Sequence, residues 1–353
     1  MATVLTVIRH LVPAPSMRDM KFADRGFPVT ANAMSRLLEG VPRAVMEGFE
    51  YGADITDPDE VARRLEWVDP HYRGLAYEGA FAALAIRDAM AFGRTRLAEE
   101  FMRGPGEPYS LLAYIGYGLV MSRLPRRMWQ QAIPRLDSNP LVEQLHWLAV
   151  DGYGFDRAFF DPQRWLIRRQ RPPQHRWAGD DTHFAPVFDQ GIGRALWFFH
   201  GGDAEAVAAA AMQFDPDRRA DIWSGIAAAA TYSASPDRPG LETLIRESGA
   251  YAADLAVGAV MATAARRHAD HVPDGTALAC ELLCGDTVAV IGELAEAEAE
   301  PPADPQGGPE YAQWQARIRA RFTDTAADRQ DSPAGQRPDV VPTHASDADV
   351  TRS

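Results

Sequence analysis

LAVDGYGFDRAFF, residues 148–160, spaces its apolar side chains as a helix does, yet carries two glycines two positions apart. Each glycine inside a helix costs about 1 kcal/mol relative to alanine, so the pair gives up about 2 kcal/mol of helix propensity. Packing has to return that loss. Glycines in similar apolar settings recur at Gly48, Gly79, Gly116, Gly152, Gly191, Gly225 and Gly258, with separations of 31, 37, 36, 39, 34 and 33 residues. A period in the thirties is that of helical hairpins stacked as in tetratricopeptide-like arrays. A missing side chain lets two helix axes come close, and dispersion contacts of about 0.1–0.2 kcal/mol each, made in number, offset the lost propensity. The spacing therefore predicts an all-α chain of helical-hairpin repeats, either an open tetratricopeptide-like solenoid or a closed α/α toroid. The plainer alternative, that single glycines mark helix ends, fits individual positions better than the series.

Between the glycine segments lie second helical starts. Asp57-Pro58 with Glu60, Asn139-Pro140, Asp161-Pro162 and Asp215-Pro216 each set a capping residue before a proline suited to the first helical position, and Asp203 caps EAVAAAAMQF. Alternating β-branched runs are short and isolated, so strands are not expected.

The chain has 353 residues, 46% of them hydrophobic, enough for a large core. Its formal charge of -13 argues against a nucleic-acid or anionic-membrane surface. Cys280 and Cys284 lie one helical turn apart, which suits neither a disulfide framework nor a four-ligand zinc site. The N-terminal MATVLTVIRHL lacks the features of a secretory signal, and no apolar run reaches eighteen residues, so a cytoplasmic protein without a membrane span is expected. Composition divides the chain into a helical body at 1–292, an acidic Pro/Gly linker at 293–310, a short amphipathic helix at 311–322 and a polar tail at 323–353 expected to be disordered. Tyr311, Trp314, Ile318 and Phe322 share one stripe of the short helix, ready for the body or for a partner.

Five blocks carry a resemblance: FADRGFPV (22–29), YEGAFAALA (77–85), WLAVDGYGFDRAFF (147–160), DQGIGRALWF (189–198) and FDPDRRADIWSGIAAAATY (214–232). In this order they resemble the signature blocks of the UnbL-type enediyne-biosynthesis proteins, domain-of-unknown-function family 1702. The resemblance implies a setting beside the iterative polyketide synthase that makes the polyene precursor of enediyne cores. It implies no reaction and no catalytic residues.

The residue before each marker glycine is Glu47, Glu78, Ile115, Asp151, Gln190, Ser224 and Val257. Five of the seven are polar within apolar helices, and the shared register aligns them on one face. Buried carboxylates are rare unless paired or working, because burial disfavours the charged form. Glu78 and Asp151, with Asp189 and Asp221 nearby in sequence, are therefore the candidate acid/base residues; inter-helix hydrogen bonding is the plainer role for such a column. Tyr77, Tyr114, Tyr117, Trp147, Tyr153, Phe155, Trp197, Phe198, Trp223 and Tyr232 surround it in sequence. Aromatics at helical spacing are ordinarily core, but Tyr117, Trp147, Tyr153, Trp197, Trp223 and Tyr232 with Arg194 are the candidates for a groove that binds a long unsaturated ligand. Arg194 and Arg219 are also candidate ion-pair partners for Asp151, Asp189 or Asp221.

From Arg157 to Arg176 six arginines face a single acid, Asp161. Arginine forks suit carboxylate and phosphate, so Arg164, Arg168, Arg169 and Arg171 are candidates for docking an acyl carrier protein or polyketide synthase; a solvated surface is the plainer reading. No cofactor is predicted. His268 with His271, and His175, Asp180, Asp181 and His183, are too few or too loosely placed for a metal site. Three functional classes follow: a polyene-binding pathway protein with an acid/base or cyclisation step, a noncatalytic scaffold for synthase, carrier protein and membrane partners, and an unusual isoprenoid cyclase. Only the last calls for magnesium, on the fragments Asp180-Asp181 and Asp215-Pro216-Asp217.

Overall fold

The computed structural model describes residues 20–91, 94–134, 140–300 and 308–331. Helices account for the regular structure there: α1 (Ala33–Asp54), α2 (Pro58–Leu65), α3 (Pro70–Met90), α4 (Leu97–Arg103), α5 (Ser110–Arg123), α6 (Trp129–Ala132), α7 (Pro140–Gln144) and α8 (Leu148–Phe160). They continue through α9 (Phe184–Phe199), α10 (Ala204–Ala211), α11 (Arg219–Ser233), α12 (Arg238–Ser248), α13 (Ala252–His268), α14 (Asp274–Cys284), α15 (Val288–Ala297) and α16 (Glu310–Asp331). Among the described residues the one β-type pairing is the isolated bridge between Trp177 and Asp180. The chain is all-α.

Two residues along a helix turn the direction of the side chain by about 200°. Gly152 and Gly154 therefore face opposite ways, and each meets a different helix. A Cβ on Gly152 would stand 2.1 Å from the Ile115 carbonyl oxygen of α5, and one on Gly154 would stand 2.3 Å from that of Phe188 in α9. Gly191 and Gly193 of α9 do the same toward Asp151 of α8 and Ile222 of α11, at 2.0 and 2.1 Å. The pairs thus mark helices flanked closely on both sides.

Helices α1, α3, α5, α8, α9, α11 and α13 form a row in which each packs on the next. From α3 onward the register repeats. The carbonyls of Glu78, Ile115, Asp151, Gln190 and Ser224 each oppose the marker glycine of the following helix, Gly116, Gly152, Gly191, Gly225 and Gly258. The first crossing differs: Gly79 opposes Val45, two residues before Glu47. Helices α10, α12 and α14 pack against one another in a second layer.

Contacts beyond nearest neighbours bring distant parts of the row together. Buried Arg266 of α13 donates from Nε and Nη2 to the Tyr232 carbonyl at 3.1 and 2.6 Å, and from Nη1 to the His71 carbonyl at 3.1 Å. Phe22 and Phe27 pack on Phe198, Phe199 and Phe159 at the far ends of α9 and α8.

Helix α16 docks on the body. Tyr311, Trp314 and Ile318 are buried, and Phe322 packs against the core. Trp314 Nε1 donates to the Ala295 carbonyl at 3.1 Å, and Arg319 Nε lies 2.6 Å from Asp254 Oδ1. The acidic stretch read as linker from 293 is helical through Ala297, because Ala295 and Ala299 are buried in the interface. Helix α16 runs to Asp331, past the expected end at 322; residues 301–307 and 332–353 lie outside the described residues.

Most expected caps form. Asp57, Asp161 and Asp203 accept from the backbone amides of Asp59, Arg164 and Ala206. Asp215 makes no cap bond, because its carboxylate is taken by Arg171. Asn139 lies outside the described residues. Cys280 and Cys284 are buried thiols.

Candidate functional site

The faces of the row converge on a hollow with two lobes, of about 70 and about 40 Å³. Val41, Leu75, Ile115, Arg194 and Phe198 border both lobes and form the waist between them. Glu78, Phe155, Asp156 and Phe159 line the first lobe; Asp151, Tyr232 and Met261 line the second. A water needs on the order of 10–15 Å³ of such space, so the hollow as it stands takes small groups only. A long chain requires its walls to move, and the flexible side chains of Met20, Met46 and Met261 stand there to do so.

Polar chemistry concentrates at the waist. Arg194 Nη1 lies 2.5 Å from Asp151 Oδ1, and the guanidinium stands 5.0 Å from the centre of the Phe155 ring. Glu78 and Asp151 are both buried, at 7% and 0% exposure, and among the described residues Glu78 Oε2 has no hydrogen-bond partner. The guanidinium is thus paired with Asp151, and its charge also acts on Glu78. Burial pushes the Glu78 carboxyl up to about 7, with Arg194 opposing and Asp151 reinforcing the shift. Burial also raises Asp151 against the pull of Arg194. A carboxyl that titrates near neutrality, in an apolar wall, can both give and take a proton.

The other two candidate acids lie elsewhere. Asp189 accepts from Nη2 and Nε of buried Arg218, at 2.6 and 2.9 Å, and Arg218 Nη1 donates to the Arg169 carbonyl. One residue from Gln190 is a turn of about 100°, which carries Asp189 out of the hollow and into an ion pair between elements. Asp221 is half-buried and also lies off the hollow; burial, with Asp189 and Asp254 adding to it, pushes its carboxyl up to about 8. Arg219 donates to the Phe214 carbonyl rather than to any of these acids. Glu47 accepts from the Tyr51 hydroxyl at 3.0 Å and does not join the column, as the shifted first crossing dictates.

Of the six aromatic candidates, Tyr232 lines the hollow. Its ring lies 4.0 Å under the Arg266 guanidinium, its hydroxyl has no partner among the described residues, and burial pushes it up to about 12. The remaining five belong to the packing between helices. Tyr117 packs on Phe81 and Tyr114, Trp147 on His183, and Tyr153 on Trp129, Phe184 and Phe188. Trp197 donates to Ser235 Oγ at 3.0 Å, and Trp223 is wholly buried. Phe155 and Phe198 supply the aromatic wall instead.

The arginine patch is partly neutralised. Arg171 binds Asp215 and Asp217 at 2.7 and 2.9 Å, Arg169 donates to Gln213, and Arg164 donates to Gln170 while stacking over Trp165. Arg168 stays exposed. These bonds also occupy the Asp215 and Asp217 carboxylates of the magnesium fragment, and Asp180 accepts from the Thr182 and His183 amides in a local turn. His175 lies 2.9 Å from Arg126, and His268 lies 3.2 Å from Ser110 Oγ. Among the described residues no three His, Cys, Asp or Glu side chains gather as a metal site would require.

Two features escaped the sequence reading. Asp156, on the wall of the first lobe, pairs with Arg123 at 3.1 Å; its position two residues past Gly154 was the available signal. Gln190, a member of the column, is the anchor of α16: its Oε1 accepts from Tyr311 and from Gln315, each at 2.9 Å.

The family model described as "Protein of unknown function (DUF1702)" matches residues 4–322. The chain belongs to that family, and the match ends on Phe322, the last residue of the docked stripe. No curated protein matches the chain, and no solved structure does. No helix among the described residues is long and apolar enough to cross a membrane.

Proposed function

We propose that this chain is an enediyne-type biosynthesis protein that holds a hydrophobic polyene intermediate in the hollow, with Glu78 as its proton-transferring group. One observation carries the reading: a buried carboxyl with an unpartnered oxygen faces an apolar cavity beside the Arg194–Asp151 pair. Desolvation keeps its proton near neutral pH, where a carboxyl ordinarily has none. Glu78 gives that proton to the bound ligand and takes one back from another of its atoms. The net change is an isomerisation or cyclisation without change of formula, and it needs no cofactor. Arg194 balances the carboxylate charge that exists between the two transfers. The resemblance of the five sequence blocks supplies the polyketide setting.

The test is a metabolite comparison between a deletion strain and strains carrying wild type, Glu78→Gln or Asp151→Asn. The reading expects the Glu78→Gln strain to lose the product as the deletion does while its protein stays folded. A product profile unchanged in both strains overturns it.

A noncatalytic scaffold is the second reading, favoured by exposed Arg168 beside Ile167, itself 45% exposed. It expects binding to an acyl carrier protein to be lost on reversal of Arg164 and Arg168 to glutamate, with Glu78→Gln tolerated.

A further inference from the structure

Arg194 stands at the waist of the hollow, with Glu78 on one lobe and Asp151 on the other. Asp151 takes an N–H of Arg194 at 2.5 Å, whereas among the described residues Glu78 Oε2 has no partner, in a residue 93% withdrawn from solvent. Orphaned polar atoms are costly in an apolar wall and are retained where something else is meant to meet them. The charged and titratable groups that act on Glu78 are Arg194 from α9 and Asp151 from α8, and Glu78 in turn acts on Tyr232 of α11. Around them stand Val41, Leu75, Ile115 and Phe198, none of which can hydrogen-bond through its side chain.

The charge count selects the end group of the guest. A cationic end would sit against the Arg194 guanidinium. An anionic end would bring a third acid to Arg194, in a lobe whose wall already carries Asp156, itself paired with Arg123. A neutral oxygen that only accepts meets neither objection, since protonated Glu78 and Arg194 both donate. Resting on the reading of the hollow as a ligand site, we propose that its ligand presents a neutral carbonyl oxygen to Glu78 and Arg194, as an aldehyde, ketone or thioester does. The apolar chain then lies along the waist.

The test uses the full-length protein and four eight-carbon probes, octane, 2-octanone, octanoate and octylamine, measured by equilibrium dialysis. At pH 6, 2-octanone is expected to bind about 10-fold more tightly than octane, the gain of one net hydrogen bond. Glu78→Leu should cut that gain to about 3-fold, what Arg194 alone supplies, whereas Glu78→Gln, whose amide still donates, should leave it near 10-fold. Raising the pH to 8.5 should shrink it, because an ionised Glu78 no longer donates. Equal binding of octane and 2-octanone, or tightest binding of octanoate or octylamine, overturns the carbonyl assignment and leaves the hollow as a ligand site. Binding of none of the four overturns both.

Discussion

Asp151 meets α9 twice: its carbonyl oxygen opposes the backbone of Gly191, and its Oδ1 lies 2.5 Å from Arg194 Nη1, three residues further on. The close crossing and the buried ion pair are therefore one structural event. A glycine at 191 draws α9 in until an arginine one turn later reaches an acid that water does not.

Because the Arg194 charge acts on both Glu78 and Asp151, their replacements should not add. Asp151→Asn leaves Arg194 with Glu78, which ionises to take over the pairing, so the single change costs less than the about 3–5 kcal/mol expected when a buried charge loses its only partner. Glu78→Gln keeps the Arg194–Asp151 pair and should stay within about 1 kcal/mol near pH 6. The double variant should exceed the sum by about 0.5–3 kcal/mol. Urea titrations of the four proteins measure this, and strict additivity would show that the arginine charge does not act on both acids.

Stability should fall with rising pH through the Glu78 window. Its carboxyl is raised from 4.5 to about 7 in the folded chain. Between those values the folded state binds more protons than the unfolded one, so unfolding free energy declines as pH rises, by on the order of 3 kcal/mol across the window. The contribution is fully present below 4.5 and gone above the folded value. Urea midpoints from pH 4.5 to 8 should show this slope in wild type and a flatter one in Glu78→Gln. Parallel slopes would mean that Glu78 ionises as it does in water.

Gly152→Ala and Gly154→Ala should each destabilise by about 1–3 kcal/mol or more, although alanine is the better helix former. The added methyl would press on the Ile115 carbonyl in one case and the Phe188 carbonyl in the other. The measurement is thermal unfolding; a rise in melting temperature for either variant would contradict the close crossing.

These glycines were legible in the sequence because a backbone contact tolerates no other side chain, so the requirement is written at every crossing. The register of the residues before them was legible for the same reason, from Glu78 to Ser224. It failed at Glu47, where the first crossing shifts by two residues and nothing local records the shift. Asp189 and five of the six aromatics lie off the hollow because of rotation about their helices. A helix flanked on both sides buries nearly its whole circumference, so apolar spacing does not tell the hollow side from the packed sides. The docking of α16 is not legible in the sequence, because the stripe of Tyr311, Trp314 and Ile318 fits any apolar groove; the specific partners, Gln190 and Asp254, lie 121 and 65 residues away from the groups they bind.

Trp314→Ala should cost about 3–5 kcal/mol, as expected for truncating a buried tryptophan. Its indole is wholly buried against the body and donates to Ala295. Urea denaturation of the full chain checks this, and a loss below about 1 kcal/mol would mean that α16 is a loose appendage rather than part of the core.

The central claim is that Glu78 keeps its proton in the hollow. Carbon-13 NMR of protein labelled at glutamate side-chain carboxyls, assigned by difference against Glu78→Gln, follows that one group through pH. The account predicts a midpoint near 7 for the ligand-free chain. A midpoint at the ordinary glutamate value of about 4.3 would contradict it, and with it the proton-transfer role.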